Sequence, residues 1–245
     1  MIATESTLIA HCGASKVDRE FLKTLPLPEA TRTHQPIPHI QIVEALIETL
    51  GFRHISVVRD EYAVTPDGMR CFGLLQLEYS YQGVQFAIGF RNSNDKSLRL
   101  AMTVGYKVFI CDNLAFKGDF TPVLAKHSKS LKLIDLVSVG VDKIQRNFEP
   151  LKTQINDWHG FTLDDRRAKE VIYDAFLDSD LRLPRCLLPA VHKLYFDPQI
   201  EEFKPRTLWS LSNAFTSAFK ELKPVKQFQA TAKLGDFIED YRMPF

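Results

Sequence analysis

The sequence predicts an α+β protein: an antiparallel β-meander preceded by one helix and followed by a long helix and a helical C-terminal part. Three observations carry that expectation. Between residues 54 and 104 apolar and polar side chains alternate in strand-length runs, with tight-turn residues between the runs. On either side, at 38–50 and 131–158, apolar residues recur three and four apart instead. The apolar fraction of 45% and charged fraction of 25% over 245 residues are those of a soluble chain with a sizeable core. There is no internal repeat, low-complexity tract or Gly/Ser linker. One domain over 1–245 is therefore expected, with an extended N-terminal segment (1–37), a helix plus meander (38–120) and a mainly helical part (121–245).

Each element has a local reason. Residues 25–38 hold Pro26, Pro28, Pro36 and Pro38, which fix φ and push the preceding residues out of helical space, so this stretch is predicted extended. A helix then starts at Pro38, buries Ile40, Val43, Ile47 and Leu50, and stops at Gly51. Residues 54–64 read as a strand, Thr65-Pro66-Asp67-Gly68 as a turn, 69–80 as the partner strand, and Tyr81-Gln82-Gly83 as the next turn. Val84, Phe86, Ile88 and Phe90 alternate with Gln85, Ala87, Gly89 and Arg91. Beyond the turn at 92–96, Leu98, Leu100, Met102 and Val104 alternate with Arg99, Ala101 and Thr103. One sheet face is thus apolar. The other is low, with Arg91 and Arg99 at its edges, and such a face takes either a covering layer or an elongated ligand.

The longest periodic signal runs through Ile134, Val137, Val141, Ile144, Phe148, Leu151, Ile155 and Trp158. It reads either as a helix lying on the protein's own sheet or as a seam for a second subunit. The second alternative gives a self-association surface of Ile134, Val137, Val141, Ile144, Phe148 and Leu151, interrupted by Gly140 and Pro150. Thr162 with Asp165 marks a further helix start. Residues after Pro184 read as a helix divided by Pro189, Leu208 to Leu222 as an amphipathic helix, and the residues after Pro224 as a last short one.

No catalytic signature is present. The eleven glycines form no phosphate-binding loop, there is no G-x-S-x-G elbow, and the seven histidines lack metal-ligand spacing. His34 and His39 lie five apart across two prolines, poor geometry for a shared metal. Cys111-Asp112-Asn113 reads as a buried strand residue and a strand end, with no base nominated beside the thiol. No catalytic residue, metal or cofactor is expected. The four cysteines are far apart and form no C-x-x-C pair, which suits reduced thiols in a cytoplasmic protein. No apolar run reaches the roughly 20 residues of a membrane span.

A net charge of +1 argues against a dedicated duplex-DNA binder and leaves local patches. Lys126, His127, Lys129 and Lys132 fall within what would be two helical turns, and basic and aromatic residues interleave just before them. The expected interface for single-stranded nucleic acid is therefore Arg91, Arg99, Lys107, Lys126, Lys129 and Lys132 for phosphates, with Tyr106 and Phe116 for stacking. A protein-interaction module acting on a host factor is the alternative.

Four stretches carry a resemblance: HQPIPHIQIVEAL, DEYAVTPDGMRCFGLLQLE, FRNSNDKSLRLAMTVGYKVFICDNLAF and LWSLSNAFTSAFK. Over roughly residues 33–222 the chain resembles a domain-of-unknown-function family of phage- and plasmid-like proteins. Where that family usually shows an Arg-Val-Val-Cys-x-Asn-like run, this chain has Lys107 followed by Val-Phe-Ile-Cys-Asp-Asn, which keeps the charge. The resemblance implies a mobile-element context and no established reaction. The element order is also similar to the core of phage single-strand-annealing recombinases, which implies a role in recombination.

Overall fold

The structure, a computed structural model, describes residues 14–108, 114–116, 123–177, 179–222 and 224–242. It is α+β, with an antiparallel sheet and a helical C-terminal part. The chain divides into two compact units, Met1–Asp112 with Phe120–Phe148, and Asn113–Asp119 with Glu149–Phe245. Cys111, Asp112 and Asn113 lie outside the described residues.

The first unit runs β1 (Ser15–Val17), α1 (Arg19–Thr24), α2 (His39–Gly51), β2 (Val57–Val64), β3 (Arg70–Tyr81), β4 (Val84–Ser93) and β5 (Leu100–Val108). After β6 (Leu114–Phe116), which belongs to the second unit, it resumes with β7 (Val123–Ala125) and α3 (Leu133–Arg146). Strands β1 to β5 pair antiparallel in sequence order, and β7 pairs with the first half of β5. The turns form as their residues dictate. Gln82 and Gly83 take φ of 42° and 76° in the two-residue link between β3 and β4, the left-handed pair that matches sheet twist. Gly68, at φ 72°, closes the β2–β3 turn with its N–H donating to Thr65 O at 2.8 Å.

One sheet face carries Leu75, Phe86, Ile88, Phe90, Met102 and Val104, all buried. Helices α2 and α3 cover it. Gly140 allows the close approach of α3: a Cβ there would overlap Val123 Cγ2 and come within 3.5 Å of Met102 Sδ. Across the β3–β4 ladder Gly73 faces Phe90, whose ring occupies the space a side chain at 73 would need. The stripe buried by α2 is Ile42, Val43, Leu46 and Leu50, centred one position away from the expected Ile40 and Ile47. The helix runs through Gly51, and the left-handed residue that ends its C-terminal turn is His54, with φ 55°.

Within the N-terminal stretch expected to be extended, Asp18 caps α1 by accepting from Phe21 N at 2.7 Å. Arg19 of that helix donates to Asp60, which also takes the Tyr62 hydroxyl at 2.6 Å. Residues 25–38 do lack helix and strand, but they are tied down by side chains of β4 and its turn. Asn94 accepts Ile37 N–H at Oδ1 (3.0 Å) and donates Nδ2 to Ile37 O (3.1 Å), and Asn92 Nδ2 donates to the same carbonyl at 3.0 Å.

The predicted long helix is two. α3 ends at Arg146, and α4 (Phe148–Gly160) begins two residues before the proline. Pro150 has no N–H for the Arg146 carbonyl, so the first helix cannot continue through it, whereas the first turn of a new helix needs no such bond. Val137, Val141, Ile144, Phe148 and Leu151 of the seam are buried in the chain, and only Ile134, 67% exposed, remains outside. Each buried aliphatic is worth about 2 kcal/mol, so exposing the first three for a second subunit costs about 6 kcal/mol. That is much of a domain's stability. The seam is spent on the protein's own fold and is not a self-association surface.

In the second unit α4 is followed by α5 (Asp165–Leu177), α6 (Leu188–Phe196), α7 (Leu208–Ala218) and α8 (Pro224–Arg242). Asp164, not Thr162, caps α5, accepting from Arg167 N at 2.7 Å. Pro189 starts α6 instead of dividing it. Every residue of α7 except Ser217 is buried, and its buried Ser212 and Thr216 hydroxyls bond the helix's own carbonyls. The closing helix is 19 residues long and is tied to α4 by Trp158 Nε1 donating to Glu239 at 2.8 Å.

Asn94→Ala leaves the Ile37 amide buried without its acceptor and lowers unfolding stability by about 2 kcal/mol in urea titration. Asn94→Asp does not restore it, because a carboxylate then faces the Ile37 carbonyl. Gly140→Ala gains about 1 kcal/mol of helix propensity. It still destabilises, because the overlapped Val123 is 2% exposed and has nowhere to go.

Candidate nucleic-acid interface

The ladders place basic residues of four segments on one side of the sheet. Register pairs Phe72 of β3 with Arg91 of β4, Arg91 with Ala101 of β5, and Ala101 with Leu124 of β7. The next row toward the turns holds Arg70 opposite Ser93. Arg99 and Lys126 then flank the pair Leu100–Ala125 on the same side. Side chains alternate along each strand, so Arg70, Arg91, Arg99 and Lys126 share the face opposite α2 and α3.

These cations differ in what they already hold. Arg70 is engaged: its Nε donates to Asp95 Oδ2 at 2.7 Å. Burial works against the Asp95 charge, but hydrogen bonds from Ser93, Ser97 and Arg70 prevail and hold its carboxyl well below the usual range. Arg91 is half-buried, and its Nε is enclosed without a hydrogen-bond partner among the described residues. Desolvation lowers its affinity for the proton, with no neighbouring carboxylate to offset the effect. Arg99, Lys126, Lys129 and Lys132 are exposed. None of these four nor Arg91 has an ion pair among the described residues. A phosphate about 4 Å from a half-buried guanidinium gains about 4 kcal/mol at an effective dielectric of about 20, against about 1 kcal/mol beside a fully hydrated lysine. Arg91 is therefore the cation of the row whose charge water screens least.

The structure corrects other members of the predicted set. Tyr106 is 8% exposed on the helix-covered face, where burial raises its hydroxyl pKa, so its ring is not presented for stacking. Lys107 is 5% exposed and already engaged, so it does not reach out to a polyanion. The side chain of Phe116 lies outside the described residues. Lys126, Lys129 and Lys132 sit on an irregular turn between β7 and α3, not on a helix. Leu131 N donates there to Ser128 O at 3.0 Å. The centre of the low face is closed, since Ala87 and Gly89 are buried, and the accessible part is its rim.

Sequence reasoning missed Leu124, which is 50% exposed beside Ala101. Val123-Leu124-Ala125 is too short for its alternation to register, so its pairing with β5 was not visible. Among the described residues, no group of three or more His, Cys, Asp or Glu side chains is placed to hold a metal ion. Among the described residues, too, no helix is long and apolar enough to cross a membrane. No family model, curated protein or solved structure matches the chain.

Brief amine acetylation of the native protein, read by mass spectrometry, modifies Lys126, Lys129 and Lys132 and spares Lys107. Lys107 becomes reactive only on unfolding.

Proposed function

We propose that this is a non-enzymatic protein of a phage- or plasmid-like element that binds single-stranded nucleic acid in the cytoplasm, in the context of recombination. The observation that carries the reading is the row of Arg91, Arg99 and Lys126 on one sheet face, followed in the chain by the exposed Lys129 and Lys132, with no ion pair to any of them among the described residues. Phosphates pair with the cations, and the exposed apolar surface of Leu124 lies beside them for base contact. A near-neutral net charge of +1 suits local rather than diffuse binding. Assembly through the α3 seam is not part of the proposal, because those residues are buried.

A second reading, an interaction module directed at a host factor, draws on Phe52, Ile134 and Val139, which are 76%, 67% and 52% exposed. Arg53 bonds Ser138 and Asp142, so the end of α2 carrying Phe52 lies beside α3.

Fluorescence anisotropy with a labelled mixed-sequence oligonucleotide tests the first reading. Five phosphate contacts give a log-affinity against log-salt slope of about −3.5, and replacing Lys126, Lys129 and Lys132 by Ala reduces it to about −1.4. Absence of binding at low salt removes the first reading and leaves the second, for which a Phe52→Asp variant should lose a partner held by the native chain.

A further inference from the structure

Three histidines that are distant in sequence meet in the first unit. His34 lies in the extended segment, His39 opens α2, and His127 follows β7. All three are buried, at 8%, 2% and 5% exposure. The His34 and His127 rings stack with centroids 5.4 Å apart and planes 16° from parallel. Gln35 N donates to His127 O at 3.0 Å, so the same contact joins the extended segment to the basic turn.

Hydrogen bonding commits His39 to a neutral ring. His39 Nε2 donates to Gly68 O at 3.0 Å, and its Nδ1 faces the Asn92 Nδ2 amide at 2.8 Å. That amide also donates to Ile37 O at 3.0 Å, which fixes which end of the Asn92 side chain meets the ring. His39 Nδ1 must then be an acceptor, and a proton placed on it meets an N–H. His127 has both ring nitrogens enclosed with no hydrogen-bond partner among the described residues. A charge there would be desolvated and uncompensated. His34 Nε2 donates to Asn94 O at 3.2 Å.

The charged groups acting on His127 offer no relief. They are His34 from the extended segment and His39 from α2, both positive once protonated. Lys126 and Lys129 flank it on its own turn, while the β4–β5 turn contributes the uncharged Asn94 and the β2–β3 turn the Gly68 carbonyl.

We propose that His39 and His127, with the His34 ring stacked on the latter, form an acid-released latch: neutral, His39 and His127 hold residues 31–38 and the basic turn at 126–132 against the sheet, and their protonation frees both. Burial, then the charges of His34 and His39, pushes His127 down to about 4, and burial lowers His39 as well, against the Gly68 hydrogen bond. Groups lowered on folding stabilise the native state fully above the ordinary histidine value of about 6.5. The unfolded chain binds more protons below that value, so stability falls with pH until His127 itself titrates near 4. The latch thus opens between about pH 6.5 and about 4. It does not depend on whether the protein binds nucleic acid.

Backbone amide NMR of the full chain across that range is the test. Resonances of residues 31–38 and 126–130 should collapse toward unstructured positions while those of β3 to β5 stay dispersed. His127→Phe, which keeps a stacked ring without a titratable nitrogen, should move the midpoint to lower pH. So should His34→Gln, which keeps a donor for the Asn94 carbonyl and serves if the first variant does not fold. Loss of these resonances only together with those of the sheet, or a midpoint unmoved in a folded variant, would overturn the proposal.

Discussion

The side-chain amide of Asn94 is bonded to both the N–H and the C=O of Ile37, at 3.0 and 3.1 Å. In effect it supplies one rung of a β-ladder to a stretch of chain that has none. A proline-rich segment cannot join a sheet on its own account, since Pro36 and Pro38 lack the donor a strand needs. Without a partner, the backbone groups between them would have to stay in water. Asn92 and Asn94, 0% and 5% exposed, provide that partner, so His34, Pro36 and Ile37 are buried against β4 and its turn. Much else hangs on this arrangement. It sets the start of α2, orients His39 through Asn92, and brings His34 against His127.

The same clamp explains why the basic row exists where it does. Lys126 precedes His127, whose carbonyl accepts from Gln35, so the turn carrying Lys126, Lys129 and Lys132 is held by the segment that Asn94 fixes. The β5–β7 ladder does the rest by setting Lys126 beside Arg99. Structural polar groups and proposed functional cations thus occupy one end of the sheet. The Asn92 and Asn94 amides point inward and bond Ile37, while Arg99, Lys126, Lys129 and Lys132 stand exposed with no ion pair among the described residues.

Much of the meander was legible because its signals are local. Alternation over Val84–Phe90 and the Gly68 and Gly83 turns each reflect a few neighbouring residues. Arg91, Arg99 and Lys126 could be nominated from the same alternation and from charge. Long-range facts were not legible. Tyr106 and Lys107 read as surface residues because nothing adjacent in sequence shows that both sides of β5 are closed. The seam through Val137 and Ile144 has one periodicity whether it meets a sheet or another subunit, and only packing decides. The Asn92 and Asn94 side chains read as turn formers, their usual role. Their true partner lies more than fifty residues away. His34 and His39 were judged by ligand spacing, whereas extended chain followed by a helix start brings both rings to one cluster.

The account rests on residues 34–38 being an integral part of the first unit rather than a tether. Amide hydrogen exchange at Ile37 in the unmodified protein at neutral pH tests that most directly. If Asn94 holds the amide as described, Ile37 exchanges as slowly as the β4 amides of Ile88 and Phe90, opening only with the unit as a whole. Exchange at the rate of an unprotected peptide, as expected for the exposed Thr33, would contradict the account.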